Sequence, residues 1–360
     1  MTAADTPSAE ELALLAGTCA ELFASHGDRR PPAGEWDARL WRALEDSALT
    51  LVSVPESAGG TGGTLREAAV VLGAAGEHSA RAPLAETALL GGWLLAAASL
   101  GVPAGPLTAA QAPQEFTVER AGGGWSARGR LPRVPWGRAA VRVAVAAKAG
   151  DKTLVLSLRP QDAVAVPGVN VAGEPRDDLQ VQTVLAAQDV AAVAPGVAQE
   201  LRRRHALART VLLAGAARRA LELTLRHTAE REQFGRALGR FQAVQQQVAE
   251  LAAEVAAMRA AADAAVEFCA AEGVSDERAG LAVAAAKIQA GRGAGVVARI
   301  AHQLHGAIGF TEEHPLRLST TRLWAWRDEA GDEAEWAAEL GDRALAAGPN
   351  GIWPLLADAG

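Results

Sequence analysis

From Phe241 to Met258 the apolar residues Phe241, Val244, Val248, Leu251, Val255 and Met258 follow one another at steps of 3, 4, 3, 4 and 3. Only a helix gathers that spacing into one stripe, and a stripe held this long has to be covered by another helix. The covering helix can belong to the same chain or to a second subunit, and the spacing fits both. A further helical stretch, Leu281 to Ala307, is rich in alanine and other small residues that let helices approach closely. Residues 191–360 therefore read as a helical bundle.

Upstream the period changes. Val141, Val143 and Val145 alternate with Arg142 and Ala144, and Leu154, Leu156 and Leu158 alternate with Val155 and Ser157. Repetition every two residues, rich in valine, predicts strands. Gly122 to Gly124, Pro132, Pro135, Pro160 and Pro167 punctuate this region, which reads as a β-barrel or sandwich domain over 106–190. Residues 1–105 return to helical spacing, with Leu12, Leu15, Cys19, Leu22 and Phe23 on one face and Trp41, Leu44 and Leu49 beyond. The glycine-dense segment Pro55 to Thr64 predicts a loop, after which Ala68 to Ala75 resumes a helix. The last stretch, Gly348 to Gly360, holds Pro349, Pro354 and three glycines and reads as irregular. The expected class is α+β multidomain: an N-terminal helical domain, a middle β domain and a C-terminal four-helix bundle.

Composition removes several classes of function. A formal net charge of −7 leaves no basic excess for nucleic acid. Cys19 and Cys269, the only two cysteines, form no disulfide framework and read as buried small hydrophobes in a reducing compartment. The most apolar run, Ala88 to Val102, falls short of the roughly 20 residues that a membrane span needs and carries Gly91, Gly92 and Gly101. It predicts a buried helix rather than a membrane segment. Met1 to Glu10 shows no basic region ahead of an apolar one, so no signal peptide is expected and the location reads as cytoplasmic. No metal site is assigned.

Two segments carry chemistry. Arg231-Glu232-Gln233-Phe234-Gly235, followed by Phe241-Gln242, sets a planar fork of donors, an amide and an aromatic ring just ahead of a helix start. Such a fork matches the paired oxygens of a pyrophosphate, and a helix N-terminus favours the same charge. Gln303-Leu304-His305-Gly306-Ala307-Ile308-Gly309-Phe310 sets small residues beside an amide, so backbone can come close to a ligand. The first segment resembles the Arg-x-x-Phe-Gly…Gln pattern of acyl-CoA dehydrogenases. The second resembles their Gln-x-x-Gly-Gly-x-Gly-Phe pattern, with Ala307 in place of the second glycine. Val54-Pro55-Glu56 with Gly59-Gly60-Thr61-Gly62 resembles the family's N-terminal Pro-Glu…Gly-Gly-x-Gly loop, and Arg81 to Glu86 resembles the stretch that follows. Order and spacing agree along nearly the whole chain, most weakly over residues 106–195.

This resemblance implies FAD between the β domain and the C-terminal helices, held partly by a neighbouring subunit. It assigns pyrophosphate contact to Arg231, with Gln233 and Phe234 beside it, and contacts near the adenosine half to Gln242, Gln303, Gly306 and Ala307. It implies α,β-desaturation of an acyl-CoA thioester in lipid catabolism, self-association to a dimer or tetramer, and an electron-transfer flavoprotein as acceptor. Many members carry the catalytic glutamate about fifteen residues beyond a proline that matches Pro315. Here the count reaches Glu329-Ala330-Gly331-Asp332, and Ala330 occupies the base position. Glu329 is one residue away, and Asp332 stands where the family has a threonine.

Some members place the base early in the first bundle helix, which here falls near His205, with Glu200 about a turn away. Three readings follow. The chain is a subunit without its own base, resembling those of heteromeric actinobacterial acyl-CoA dehydrogenases, and works with a homologous subunit. Or it is a self-sufficient homotetramer using Glu329. Or it is a non-catalytic flavin-binding or scaffold protein. Trp324 and Trp326 read as core or interface packing, with a place in the acyl pocket as the alternative.

Overall fold

The computed structural model describes residues 6–27 and 31–357; Met1 to Asp5 and the last three residues of the expected irregular tail lie outside the described residues. The chain divides into two compact units, one made of Met1–Val71 and Arg81–His205, the other of Leu72–Ala80 and Ala206–Gly360.

In the first unit, α1 (Ala9–His26) starts at a reciprocal cap in which Ser8 and Glu11 satisfy each other's backbone N–H groups. It buries Cys19 and Phe23, as the helical spacing predicts. α2 (Ala38–Asp46) is capped by Asp37, whose carboxylate accepts from the Arg39 and Leu40 N–H groups, and buries Leu40, Trp41 and Leu44. The glycine-dense loop holds one short turn, Glu56–Ala58, closed by Gly59 at φ 93°. α3 (Leu65–Glu77) crosses from this unit into the second. The apolar run is a buried π-helical segment, Glu86–Gly92, continued by α4 (Trp93–Ala97). No helix among the described residues is long and apolar enough to cross a membrane.

The strands form two four-stranded sheets. One has the order β1 (Leu107–Gln111), β4 (Arg142–Ala149), β5 (Lys152–Leu158), β8 (Val190–Val193), and its β1–β4 pair is parallel. The other has the order β2 (Thr117–Ala121), β3 (Gly124–Pro135), β7 (Arg176–Ala186), β6 (Ala163–Val166) and is antiparallel throughout. Phe116, Leu131, Val145, Leu156, Leu179 and Leu185 form a common core for the two sheets. β4 and β5 are buried on both faces, since the alanines and Val155 between their larger residues are covered as well.

The second unit is built on long helices. α5 (Val197–Glu230) enters it from the first unit and ends at a small hairpin, β9 (Glu232–Gln233) paired with β10 (Arg236–Ala237). α6 (Gln242–Glu272) then packs along α7 (Glu277–His305). The C-terminal half of the stripe read from the sequence, Leu251, Val255 and Met258, is buried on α6, which packs on α7 of the same chain, while Phe241, Val244 and Val248 stay half-exposed. Gly293 of α7 makes the approach possible, because a Cβ there would stand 2.6 Å from the Met258 sulfur. α8 (Leu316–Arg327) and α9 (Glu333–Ala357) also pack on α7. The tail departs from the expectation of irregular chain: α9 runs on to Ala357, broken once at Gly348 (φ 69°, ψ 179°). Pro349 follows that break, at the start of the next helical piece, where its fixed φ and missing N–H cost least.

Candidate active site

The motif residues gather at one end of the second unit. Helix α5 stops after Glu230, and the Arg231 N–H still donates to the His227 carbonyl at 2.9 Å. The chain then turns through Phe234 (φ 53°) and Gly235 (φ 77°), and the Leu238 N–H closes onto the Arg231 carbonyl at 2.8 Å. Two successive positive φ values are what a two-residue hairpin of this twist needs, but phenylalanine is a poor residue for the first. Its ring is 91 % exposed. A strained, exposed aromatic is expensive for a lone chain, and such strain concentrates at functional positions. Phe234 meets Phe241 edge-on at 6.2 Å between ring centres, and the Arg236 guanidinium covers the Phe241 ring at 4.1 Å.

The second segment begins in the last turn of α7. Gly306 ends the helix at φ 64°, its N–H donating to the His302 carbonyl, and nothing lies within 4 Å of where its Cβ would be. A short helical turn, Gly306–Phe310, follows. The two segments are neighbours, because the rings of His227 and His305 stack at 4.3 Å. His227 precedes Arg231 by one helical turn and His305 adjoins Gly306.

Arg231, Gln233, Phe234, Gln242, Gln303, Gly306 and Ala307 are all exposed. A guanidinium, three primary amides and an open glycine turn are groups of the kind that bind an anionic dinucleotide. No group of histidine, cysteine and acidic side chains among the described residues could hold a metal ion.

The expected base position lies in the turn between α8 and α9. Ala330 (φ 61°) and Gly331 (φ 89°) form its left-handed apex. Lys287, fully buried in the middle of α7, donates to the Arg327 carbonyl at 2.6 Å and to the Gly331 carbonyl at 2.8 Å. Burial pushes its pKa down to about 8. The Trp336 indole N–H holds the Ala330 carbonyl at 2.9 Å. Asp332 has a structural task, capping α9 by accepting from the Ala334 and Glu335 N–H groups at 2.9 Å each. Arg327 and Glu333 form an ion pair across the turn, which holds the Glu333 carboxyl below its ordinary range.

Glu329 is not poised on an open surface. Its Oε2 lies 2.7 Å from Nε of Arg209, a guanidinium buried within α5. Asp328 is exposed, as a solvated acidic turn would have it. Near the alternative base position, Glu200 is paired with Arg204 at 2.9 Å, Arg204 covers the Trp93 ring, and His205 is half-buried. Trp326 is buried, while Trp324 is partly exposed and lies 5.6 Å from His302, ring centre to ring centre. Sequence reasoning missed Lys287, Arg209 and the histidine stack. A lone lysine within the alanine-rich run Ala279 to Ile288, and histidines three apart at that helix's end, were the available signals.

Helices followed by two four-stranded sheets and a bundle of long helices make up the acyl-CoA dehydrogenase fold. The chain ChsE4 or ChsE5 in the crystal structure of the ChsE4-ChsE5 complex from Mycobacterium tuberculosis superposes with a TM-score of 0.84 at 24% identity, over 95% of this chain and 99% of that one. A glutaryl-CoA dehydrogenase from Mycobacterium smegmatis, in complex with FADH2, superposes with a TM-score of 0.81 at 16% identity, over 92% of this chain and 94% of that one. In sequence, residues 197–327 match the family described as Acyl-CoA dehydrogenase, C-terminal domain. Acyl-CoA dehydrogenase IpdE2 of Mycobacterium tuberculosis is 31% identical over 323 residues, 86% of this chain and 89% of the relative. The chain belongs to the acyl-CoA dehydrogenase family.

Proposed function

We propose that this chain is a subunit of a two-polypeptide acyl-CoA dehydrogenase, taking part in FAD-dependent α,β-desaturation of an acyl-CoA while a homologous subunit supplies the base. The observation that supports this reading is the α8–α9 turn: the count from Pro315 brings the base position to Ala330, and the adjacent carboxylate of Glu329 is paired with Arg209. A methyl group takes no proton, and a base has to reach the α-proton of the thioester. FAD, when bound, supplies the acceptor for the hydride that leaves the β-carbon. Arg231 holds its pyrophosphate, with Gln233 and Phe234 beside it. Gln242, Gln303, Gly306 and Ala307 serve the adenosine half. All of these residues are exposed on the isolated chain, which suits a cofactor that a second subunit covers.

ChsE4 and ChsE5 of Mycobacterium tuberculosis form a complex, which supports a heteromeric arrangement. An electron-transfer flavoprotein as acceptor, a role in lipid catabolism and a cytoplasmic location belong to the same reading. The test is acyl-CoA oxidation with a dye acceptor, by the FAD-supplemented chain alone and together with a homologous polypeptide. We expect no turnover alone and turnover in the mixture; strong turnover by the lone chain overturns the proposal.

One observation favours a second reading. Glu329 is a carboxylate in the same turn as the expected base, and a homotetramer could use it once it parts from Arg209. Glu329→Gln should then abolish turnover with flavin still bound. A colourless protein that takes up no FAD, alone or mixed, would favour a scaffold role.

A further inference from the structure

Four of the seven histidines, His227, His302, His305 and His314, stand together in the second unit. His227 and His305 stack with their ring planes 21° apart, and His314 meets the edge of both, at 4.9 Å from His305 and 6.5 Å from His227. His302, one turn before His305, stacks on Phe310 at 3.9 Å and bonds Thr320 at 2.8 Å through Nε2. Gly309 lies flat against this group, since a Cβ there would come within 3.0 Å of the His305 Cβ and 3.2 Å of the His302 Nδ1.

The hydrogen bonds determine which nitrogens carry protons. Nδ1 of His305 faces the Ala301 carbonyl at 2.8 Å, and a carbonyl only accepts, so Nδ1 bears the hydrogen. Nε2 of His305 is then a bare acceptor, buried without a hydrogen-bond partner. Nδ1 of His314 accepts the Leu316 N–H at 3.2 Å, so that nitrogen bears none. A second proton on His305 would create a buried N–H with nothing to donate to. A proton on Nδ1 of His314 would break a hydrogen bond.

We propose that the His227–His305 stack is a positioning device for the cofactor, holding the Arg231 hairpin in register with the Gln303–Ala307 turn only while its imidazoles are uncharged. This rests on the FAD reading above and deepens it. Neither histidine touches the cofactor in this account; each acts through the backbone of the segment it ends. The surroundings agree. Burial, then His314 and Arg231, push the His227 pKa down against a small opposing pull from Glu230. Burial, then the charge that His227, His314 and His302 would carry, lowers His305 to about 4 despite its bond to Ala301. Burial lowers His302 and His314 as well.

The test is FAD dissociation from the full chain, in whichever assembly holds flavin, read by flavin fluorescence at about pH 8 and at about pH 4, where the stack takes up its proton. The wild-type Kd should rise about tenfold on acidification. His227→Ala should weaken FAD by about tenfold at the higher pH with unchanged circular dichroism. His227→Phe keeps an aromatic face and cannot be charged; it should restore the affinity and give a shallower acid loss. A merely structural histidine would not predict that flattening. His227→Ala binding like wild type overturns the inference, and so does His227→Phe with the wild-type pH profile. A wild-type chain that takes up no FAD in any assembly overturns the cofactor reading as well, an outcome distinct from FAD binding that ignores the variants.

Discussion

Nε of Arg209, in α5, lies 2.7 Å from Oε2 of Glu329, in the turn after α8, with the two side chains 2 % and 10 % exposed. The pair explains why an acidic residue beside the expected base position does not by itself make a base. Glu329→Gln removes the negative charge facing a buried guanidinium, and breaking such pairs is costly. We expect it to lower stability by roughly 2–3 kcal/mol in denaturant titration. Turnover of the assembled enzyme should be unchanged; its complete loss would establish Glu329 as the base.

Counting along the family's spacing brings the catalytic carboxylate to Ala330. Its left-handed backbone already carries a side chain, so a longer one adds little backbone strain. In the FAD-loaded chain, Ala330→Glu should create acyl-CoA oxidation that the wild type lacks alone, and Ala330→Gln should not. Dye reduction in the presence of acyl-CoA reads the difference. An inactive Ala330→Glu protein with normal flavin content would show that this turn does not face the substrate.

Lys287 ties the turn to α7 through two carbonyls, Arg327 and Gly331. Lys287→Met should cost about 2 kcal/mol, the scale of charge-assisted hydrogen bonds left unmade. The pH dependence has a definite sign. The folded pKa of about 8 lies below the unfolded value, so between about pH 8 and 10.5 the unfolded chain holds the extra proton. Stability of the wild type relative to Lys287→Met therefore rises with pH across that window. With no tyrosine and only two other lysines, Lys148 and Lys152, few groups obscure it. Burial of Cys19 raises its thiol to about 11 and acts in the opposite sense, but equally in both proteins.

His305 should make the second unit acid-sensitive. Its folded pKa of about 4 lies below that of a free histidine, so the unfolded state takes up the proton first. Stability is full above about pH 6.5 and is lost as pH falls toward 4. His305→Gln cannot titrate, and its melting temperature should fall less steeply over that range. Parallel curves for the two proteins would place the acid sensitivity elsewhere.

The elements were legible because each rests on a local pattern. Leu251 to Met258 of the stripe became the buried face of α6, and the alternating valines and leucines became β4 and β5. The helical face of Leu12 to Phe23 became α1. One local inference failed: two prolines and three glycines suggested an irregular tail, yet α9 needs only one break, at Gly348. Pro349 is tolerated because it starts a helical piece, and composition does not say where a piece starts.

The candidate cofactor residues were proposed from sequence alone, because each motif keeps its members close together. Spacing also brought Ala330 to the base position by counting. What spacing could not supply was the company each residue keeps. Whether Glu329 is free or paired depends on Arg209, over a hundred positions earlier, and Lys287 reaches carbonyls some forty positions away. The two motif segments are joined by His227 and His305, on different helices. Periodicity records which face of a helix is covered. Only packing decides which side chain of another helix does the covering, and with it which charges are neutralised and which remain for chemistry.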